Sequence, residues 1–311
     1  MSTVRTPPPA AMRAAKIALR FLVSASILAL ILRTIDLGRA GRVLENASAG
    51  WLLVALLLQF GSTAVSVFRW QLVMRNLGFG QSPAFYWSSY FKAMFFNQGL
   101  PTSVGGDALR VLDVAARGFR RRDALAAVVI DRLIGLAALL LLAFAAHLVD
   151  PSLLPAPVYR SIVWMLAAAL AGFVALAFAG RLHWLRHRPR LKLVVAVSNR
   201  LRQSLSAQRF LLCAASLLVP LLAMLGFFAA GRALGLRYDL LTYFAIVPPA
   251  LVLTVVPVSI AGWGVREGAL VALFSLIGAD KTAVLMMSLA YGMMLVVVSL
   301  PGLVVFLRGR R

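Results

Sequence analysis

Six charged residues lie in or beside apolar segments of the chain: Asp107, Arg110, Asp131, Arg132, Arg266 and Glu267. A charged side chain at the centre of a bilayer costs roughly 2.5–3.5 kcal/mol on insertion scales. These residues must therefore pair with one another, face water or meet a charged ligand. The arginines suit recognition of an anion, because the guanidinium fork matches the oxygens of a phosphate group.

A short motif precedes two of these charged groups. Residues 101–106, Pro-Thr-Ser-Val-Gly-Gly, recur as residues 257–262, Pro-Val-Ser-Ile-Ala-Gly. The copies share Pro, Ser and the final Gly, and each interrupts an apolar run. Helix breakers followed by charge, once in each half of a hydrophobic chain, indicate a transporter-like binding site near the membrane midplane.

The first copy continues into Asp107 and Arg110, which would share a helix face and pair if the chain turns helical after Gly106. Gly105 and Gly106 allow close approach of the backbone to a ligand. Free N–H groups at the start of that helix would favour an anion, and Asn97 adds a neutral polar group. The alternative is structural, with Asp107 capping the helix and pairing with Arg110.

The second copy continues through Trp263 and Gly264 into Arg266 and Glu267. We expect Arg266 to be the better phosphate ligand. Adjacent residues point in different directions on a helix, so Arg266 and Glu267 are predicted to have different partners. Trp263 is either an interfacial anchor or a wall against an acyl chain.

Asp131 and Arg132 begin a long apolar run. They form either an interfacial charged pair at the cytoplasmic end of a span or part of the lining of the first motif's hairpin. The sequence leaves these two interpretations open.

The composition indicates that the elements carrying these charged residues are membrane helices. The 311-residue chain is 61% hydrophobic and only 14% charged, with a mean hydropathy of +0.89, whereas soluble domains carry about 25% charged residues. We predict an all-α, polytopic integral membrane protein. The net charge of +22 lies in loops between apolar spans, which favours cytoplasmic loops and anionic headgroups over nucleic acid.

Candidate spans cover about 17–33, 51–70, 124–148, 161–180, 210–231 and 282–307, after a disordered tail over 1–12. Regions 83–123 and 241–280 contain the motif copies and are predicted to be re-entrant, broken-helix hairpins. Loop charges place both termini and 181–209 inside, and 34–50 and 149–160 outside. The hairpins then enter from opposite faces, which makes 13–150 and 151–308 half-repeats of an inverted repeat within one domain, 13–308.

Catalytic motifs are missing from the sequence. It has no Gly-rich phosphate loop, no zinc-protease helix motif and no cysteine nucleophile with a nearby His. The single Cys213 allows no disulfide framework, and His183 and His187, though four residues apart, have no acidic neighbour to complete a metal site. We expect no enzyme activity, no cofactor and no metal.

Three ordered segments carry a family resemblance. The run from Asn97 to Arg110 resembles the Asn-x-x-x-Pro-x-x-x-Gly-Gly-Asp-x-x-Arg signature of the membrane domain of lysylphosphatidylglycerol synthetases, a flippase-like family. Residues 129–135 resemble its Asp-Arg-x-x-Gly segment, and residues 257–268 its second signature with the Gly-x-Gly-x-Arg-Glu run. The resemblance spans about residues 10–308.

The resemblance implies movement of a lipid across a bilayer. Together with the anion-binding chemistry it predicts a flippase or transporter for a lipid with an anionic headgroup: a phospholipid, an aminoacyl-phospholipid, a hopanoid or a polyprenyl-linked lipid. Because the chain ends directly after its last span, aminoacyl transfer by a soluble synthetase domain is not expected. The alternatives are a membrane-embedded transferase acting on a lipid-linked substrate and a non-transporting scaffold of a lipid-synthesis complex.

The expected location is the bacterial inner membrane, and the expected partners are membrane lipids, with a homodimer or lipid-biosynthesis enzymes as further candidates. The residues predicted to bind substrate or gate its passage are Asn97, Pro101, Gly105, Gly106, Asp107, Arg110, Asp131, Arg132, Pro257, Ser259, Gly262, Gly264, Arg266 and Glu267.

Overall fold

A computed structural model describes residues 37–99, 105–186, 188, 191–206, 208–254 and 261–308. The predicted tail 1–12, the predicted span 17–33 and three predicted site residues, Pro101, Pro257 and Ser259, lie outside these ranges. Within the described ranges the secondary structure is helical, and no strand is present.

The helices follow one another with short connections. In chain order they are α1 (Leu37–Glu45), α2 (Ala49–Asn76), α3 (Pro83–Gly99), α4 (Gly105–Ala115), α5 (Arg121–Val149), α6 (Ala156–Ala179), α7 (His183–Arg186), α8 (Lys192–Ser206), α9 (Arg209–Ala233), α10 (Leu240–Leu253), α11 (Val265–Ser275) and α12 (Lys281–Arg308).

Five of these helices, α2, α5, α6, α9 and α12, are long and apolar enough to cross a membrane. They confirm the five predicted spans that fall within the described residues, each extended by a few residues. Only 22–39% of the residues in their most apolar windows are buried. Outward side chains such as Trp164 and Phe210 are large and apolar, as expected for a surface that meets lipid. The chain is a multi-pass membrane protein.

The two motif regions are broken helices, as predicted. Helices α3 and α4 pack against each other on either side of the first motif, and α10 and α11 do the same around the second. With 17, 11, 14 and 11 residues, each arm is shorter than the roughly 20 residues that a full span needs.

The two halves make matching contacts. Helix α2 packs along α9, the long helix that precedes the hairpin in the second half of the chain. The first arm of each hairpin packs against the last long helix of the other half, α3 on α12 and α10 on α5. The second arm packs against the last long helix of its own half, α4 on α5 and α11 on α12. The long helices thereby hold both hairpins inside the bundle.

Three apolar clusters fix this arrangement. The largest joins α9–α12 through buried side chains such as Phe227, Tyr243 and Phe274. A second holds the first hairpin against α2 through Trp70 and Tyr86, whose rings meet edge to face at 5.2 Å. The third packs Leu201 of α8 against α2 and α5, so the basic segment 181–209 contributes an apolar side chain to the core.

Candidate functional site

A cavity of about 230 Å³ lies between α2, the first hairpin, α5 and α12. Polar and charged groups make up most of its lining, although the surrounding helices are apolar. The lining residues are Gln59, Ser62, Thr63, Ser66, Tyr90, Ala93, Met94, Asn97, Gln98, Asp107, Arg110, Arg132 and Leu295. We call this space the central cavity.

One wall of the central cavity is a polar stripe on α2. Residues 59, 62, 63 and 66 follow the i, i+3, i+4, i+7 spacing of a single helix face, and they lie near the middle of a 28-residue helix. Such a helix is about 42 Å long, more than the roughly 30 Å of a hydrocarbon core. The stripe therefore occupies the middle of a helix long enough to cross the membrane. Thr63 and Ser66 donate to carbonyl oxygens of their own helix at 3.0 and 2.9 Å, which leaves their oxygens able to accept.

The facing wall is the tip of the first hairpin, where the two arms approach closely. The Gly106 N–H donates to Asn97 Oδ1 at 2.8 Å. A Cβ at position 106 would collide with the backbone carbonyl of Ala93, so only glycine allows this contact. Asp107, the next residue, is thereby directed into the central cavity.

Asp107 binds two arginines, one from each side. Arg132 reaches it from α5, with Nε 2.9 Å from Oδ2 and Nη2 3.2 Å from Oδ1. Arg110 lies one turn further along α4, with Nη1 3.4 Å from Oδ1. The predicted pairing of Asp107 and Arg110 is confirmed. The Arg132 side chain remains 58% exposed while paired, so it can contact a second partner without losing Asp107.

Asp131 occupies a buried position behind this pair. Its two oxygens accept from Arg69 Nε at 3.0 Å and from Arg110 Nη2 at 2.9 Å, and its side chain is 1% exposed. The Arg110 guanidinium also lies over the Trp70 ring at 4.2 Å. Asp131 and Arg132 thus have separate roles, because Asp131 anchors buried arginines while Arg132 lines the cavity.

The charge of this network is unbalanced. Three arginines, 69, 110 and 132, face two aspartates, 107 and 131, which leaves one net positive charge at the cavity. The Nε of Arg110 is buried and has no hydrogen-bond partner among the described residues. A buried positive charge with a free donor favours an anionic ligand.

The second motif is built differently from our expectation. Arg266 and Glu267 were predicted to have different partners, and this prediction is wrong: Arg266 Nη2 lies 2.6 Å from Glu267 Oε1. Glu267 turns back to accept from the Gly264 N–H at 2.6 Å, as a residue in the first turn of a helix can. The long Arg266 side chain then folds over the same turn onto the carboxylate.

Both side chains of this second pair are buried, and neither lines the central cavity. Ser288 of α12 bonds to both, with Oγ 3.0 Å from Glu267 Oε1 and 3.1 Å from Arg266 Nε. Trp263 packs on the Arg266 guanidinium at 5.0 Å. The second pair therefore fixes the start of α11 against α12.

The structure brings together five of the predicted site residues, Asn97, Gly106, Asp107, Arg110 and Arg132, with Asp131 directly behind them. Gly105 begins α4, while Gly262 and Gly264 lie at the second hairpin with Arg266 and Glu267. Sequence reasoning missed the α2 contribution, Gln59, Ser62, Thr63, Ser66 and Arg69. Their helical spacing within an apolar span is the signal that could have found them.

The arrangement is suited to recognition of a charged group. Among the described residues, no three or more His, Cys, Asp or Glu side chains are clustered so as to hold a metal ion. The carboxylates nearest the cavity, Asp107 and Asp131, are both engaged by arginines.

A sequence profile of the lysylphosphatidylglycerol synthase TM region matches residues 17–302 of the 311. The chain belongs to this family. The match covers both motif copies, both hairpins and all of the central cavity, so the lysylphosphatidylglycerol synthase TM region includes every site residue described above. No curated protein matches the chain significantly.

Proposed function

We propose that this protein is a lipid flippase, a transporter that moves a lipid with an anionic headgroup between the leaflets of the inner membrane. The observation that carries the proposal is the central cavity. It is polar, carries net positive charge and is lined by the middle of a helix long enough to cross the membrane, where an unused polar cavity would be costly. Membership of a family named for a lipid synthase supports a lipid as the ligand.

The headgroup contacts follow from the geometry of the cavity. Arg132 supplies an exposed guanidinium, Arg110 supplies its unpaired Nε, and the α2 hydroxyls supply neutral partners around them. A phosphodiester carries one negative charge, which offsets the single net positive charge of the network. The acyl chains would remain between the apolar, outward-facing sides of the helices.

In this proposal the lipid crosses the membrane by alternating access. The matching contacts of the two hairpins support the predicted inverted repeat, in which one hairpin opens to each face. In this proposal both termini are cytoplasmic. Movement is passive or coupled to an ion or to the membrane potential.

Reconstitution in liposomes tests the proposal. Purified protein should accelerate exchange of fluorescent phosphatidylglycerol between leaflets, measured by quenching of the outer-leaflet label, relative to protein-free vesicles. Asp107→Asn should slow this exchange, since it weakens the hold on Arg132. No acceleration for any anionic lipid would reject the flippase, and product formation from an activated donor would support a transferase instead.

A further inference from the structure

A second cavity, of about 380 Å³, lies at the open end of the first hairpin. It is bounded by the start of α3 and the end of α4, and its polar lining comprises Ser82, Ser88, Ser89, Lys92, Asp113 and Arg117. We call it the hairpin-mouth cavity. We propose that it binds one phosphate group, carried either by a lipid headgroup or by inorganic phosphate.

The hairpin-mouth cavity is separate from the central cavity. The two share no lining residue. Among the residues that α3 contributes, 85, 88, 89 and 92 line the hairpin mouth and 90, 93, 94 and 97 line the central cavity. Each set has the i, i+3, i+4, i+7 spacing of one helix face, so α3 separates two polar spaces.

The charges of the hairpin-mouth cavity favour an anion. Lys92 Nζ lies 2.9 Å from Asp113 Oδ1 and 2.8 Å from Oδ2, so this pair is neutral as a unit. Arg117 makes no ion pair among the described residues, and its guanidinium lies 5.2 Å from the centre of the Phe85 ring. No carboxylate among the described residues neutralises this exposed guanidinium, and its planar fork matches phosphate oxygens.

An unpartnered donor lies inside the same cavity. Ser89 is 1% exposed, and its hydroxyl has no hydrogen-bond partner within the described part of the chain. A buried hydroxyl without a partner costs free energy, and a phosphate oxygen would satisfy it. Lys92 donates one hydrogen bond to Asp113 and keeps further ammonium donors. The cavity therefore offers donors from three side chains, a set suited to the several oxygens of one phosphate group.

The position of the cavity fits a headgroup. Ser82 precedes α3 and Arg117 follows α4, so the cavity lies where the hairpin leaves the bundle. Irregular backbone at such a point lies at the membrane surface or against water. Both a lipid phosphate and a dissolved phosphate ion can reach it there.

Two variants test the site in the purified full-length protein. Arg117→Gln removes the guanidinium charge, and Ser89→Ala removes the unsatisfied hydroxyl. Arg120→Gln is the matched control, because Arg120 is an exposed neighbour that does not line the cavity. Native mass spectrometry measures binding of phosphatidylglycerol against a phosphate-free diacylglycerol. A parallel arm measures the shift in unfolding midpoint caused by inorganic phosphate relative to chloride at equal ionic strength.

We expect Arg117→Gln to weaken phosphatidylglycerol binding by roughly tenfold or more, and Ser89→Ala by a few-fold, since charged hydrogen bonds are the stronger ones. Ser89→Ala should fold at least as stably as the wild type, which separates lost binding from lost structure. Diacylglycerol binding should not change. If Arg117→Gln also loses the shift in unfolding midpoint that inorganic phosphate causes, the site binds free phosphate. If the wild type shows no such shift, the site binds the lipid. Binding by Arg117→Gln equal to that of Arg120→Gln in both arms would overturn the proposal.

Discussion

Two neighbouring residues, Asp131 and Arg132, show how burial separates structural from functional charge. Asp131 is 1% exposed and bound by two arginines, whereas Arg132 is 58% exposed and reaches into the central cavity. A buried ion pair becomes costly when one partner is removed, because the remaining charge has neither water nor a counter-ion. Loss of Arg132 costs less, because Arg132 is itself largely exposed and Asp107 keeps Arg110 as a second partner.

Asp131→Ala should therefore lower the free energy of unfolding by about 3–5 kcal/mol, since Arg69 and Arg110 would lose their shared carboxylate. Arg132→Ala should lower it by less than about 1 kcal/mol. Denaturant titration of both variants in mixed micelles measures the difference. Equal losses of stability would show that the two residues do not differ in role.

At the scale of elements, the sequence predicted the helices better than their contacts. Composition and apolar length located five long helices within a few residues, and the Pro- and Gly-containing motifs marked both breaks. The partners of Asp131 could not be predicted, because Arg69 meets it only once α2 and α5 are neighbours in space. The prediction of different partners for Arg266 and Glu267 was wrong, because the long arginine side chain folds over the first helical turn onto the neighbouring carboxylate.

The close approach of the α3 and α4 arms gives an element-scale prediction. Gly106→Ala should separate the arms and destabilise the protein by about 1–3 kcal/mol, because its Cβ meets backbone atoms that cannot rotate away. Gly172→Ala in α6 is the matched control. Its Cβ meets no other atom within 4 Å, so it should be neutral or stabilise by up to about 1 kcal/mol. Thermal unfolding in detergent compares them, and equal midpoints would contradict the contact at Gly106.

In the whole molecule, we expect the two hairpins to open to opposite faces of the membrane. Ser103 and Ser259, one in each motif copy, are the positions to label, although both lie outside the described residues. In a Cys213→Ala background, single cysteines at these positions should react with a membrane-impermeant maleimide from opposite sides of oriented vesicles. Reaction of both from the same side would reject the inverted repeat while leaving the central cavity in place.

Arg132 is the residue through which to test whether the central cavity carries the lipid headgroup. The measurement is the rate of leaflet exchange of fluorescent phosphatidylglycerol in liposomes containing wild type, Arg132→Gln or Arg160→Gln, where Arg160 is an exposed arginine of α6 away from the cavity. We predict that Arg132→Gln slows exchange about tenfold, by loss of a charged hydrogen bond to the headgroup, while Arg160→Gln exchanges at the wild-type rate. Equal rates for all three proteins would contradict headgroup binding in the central cavity.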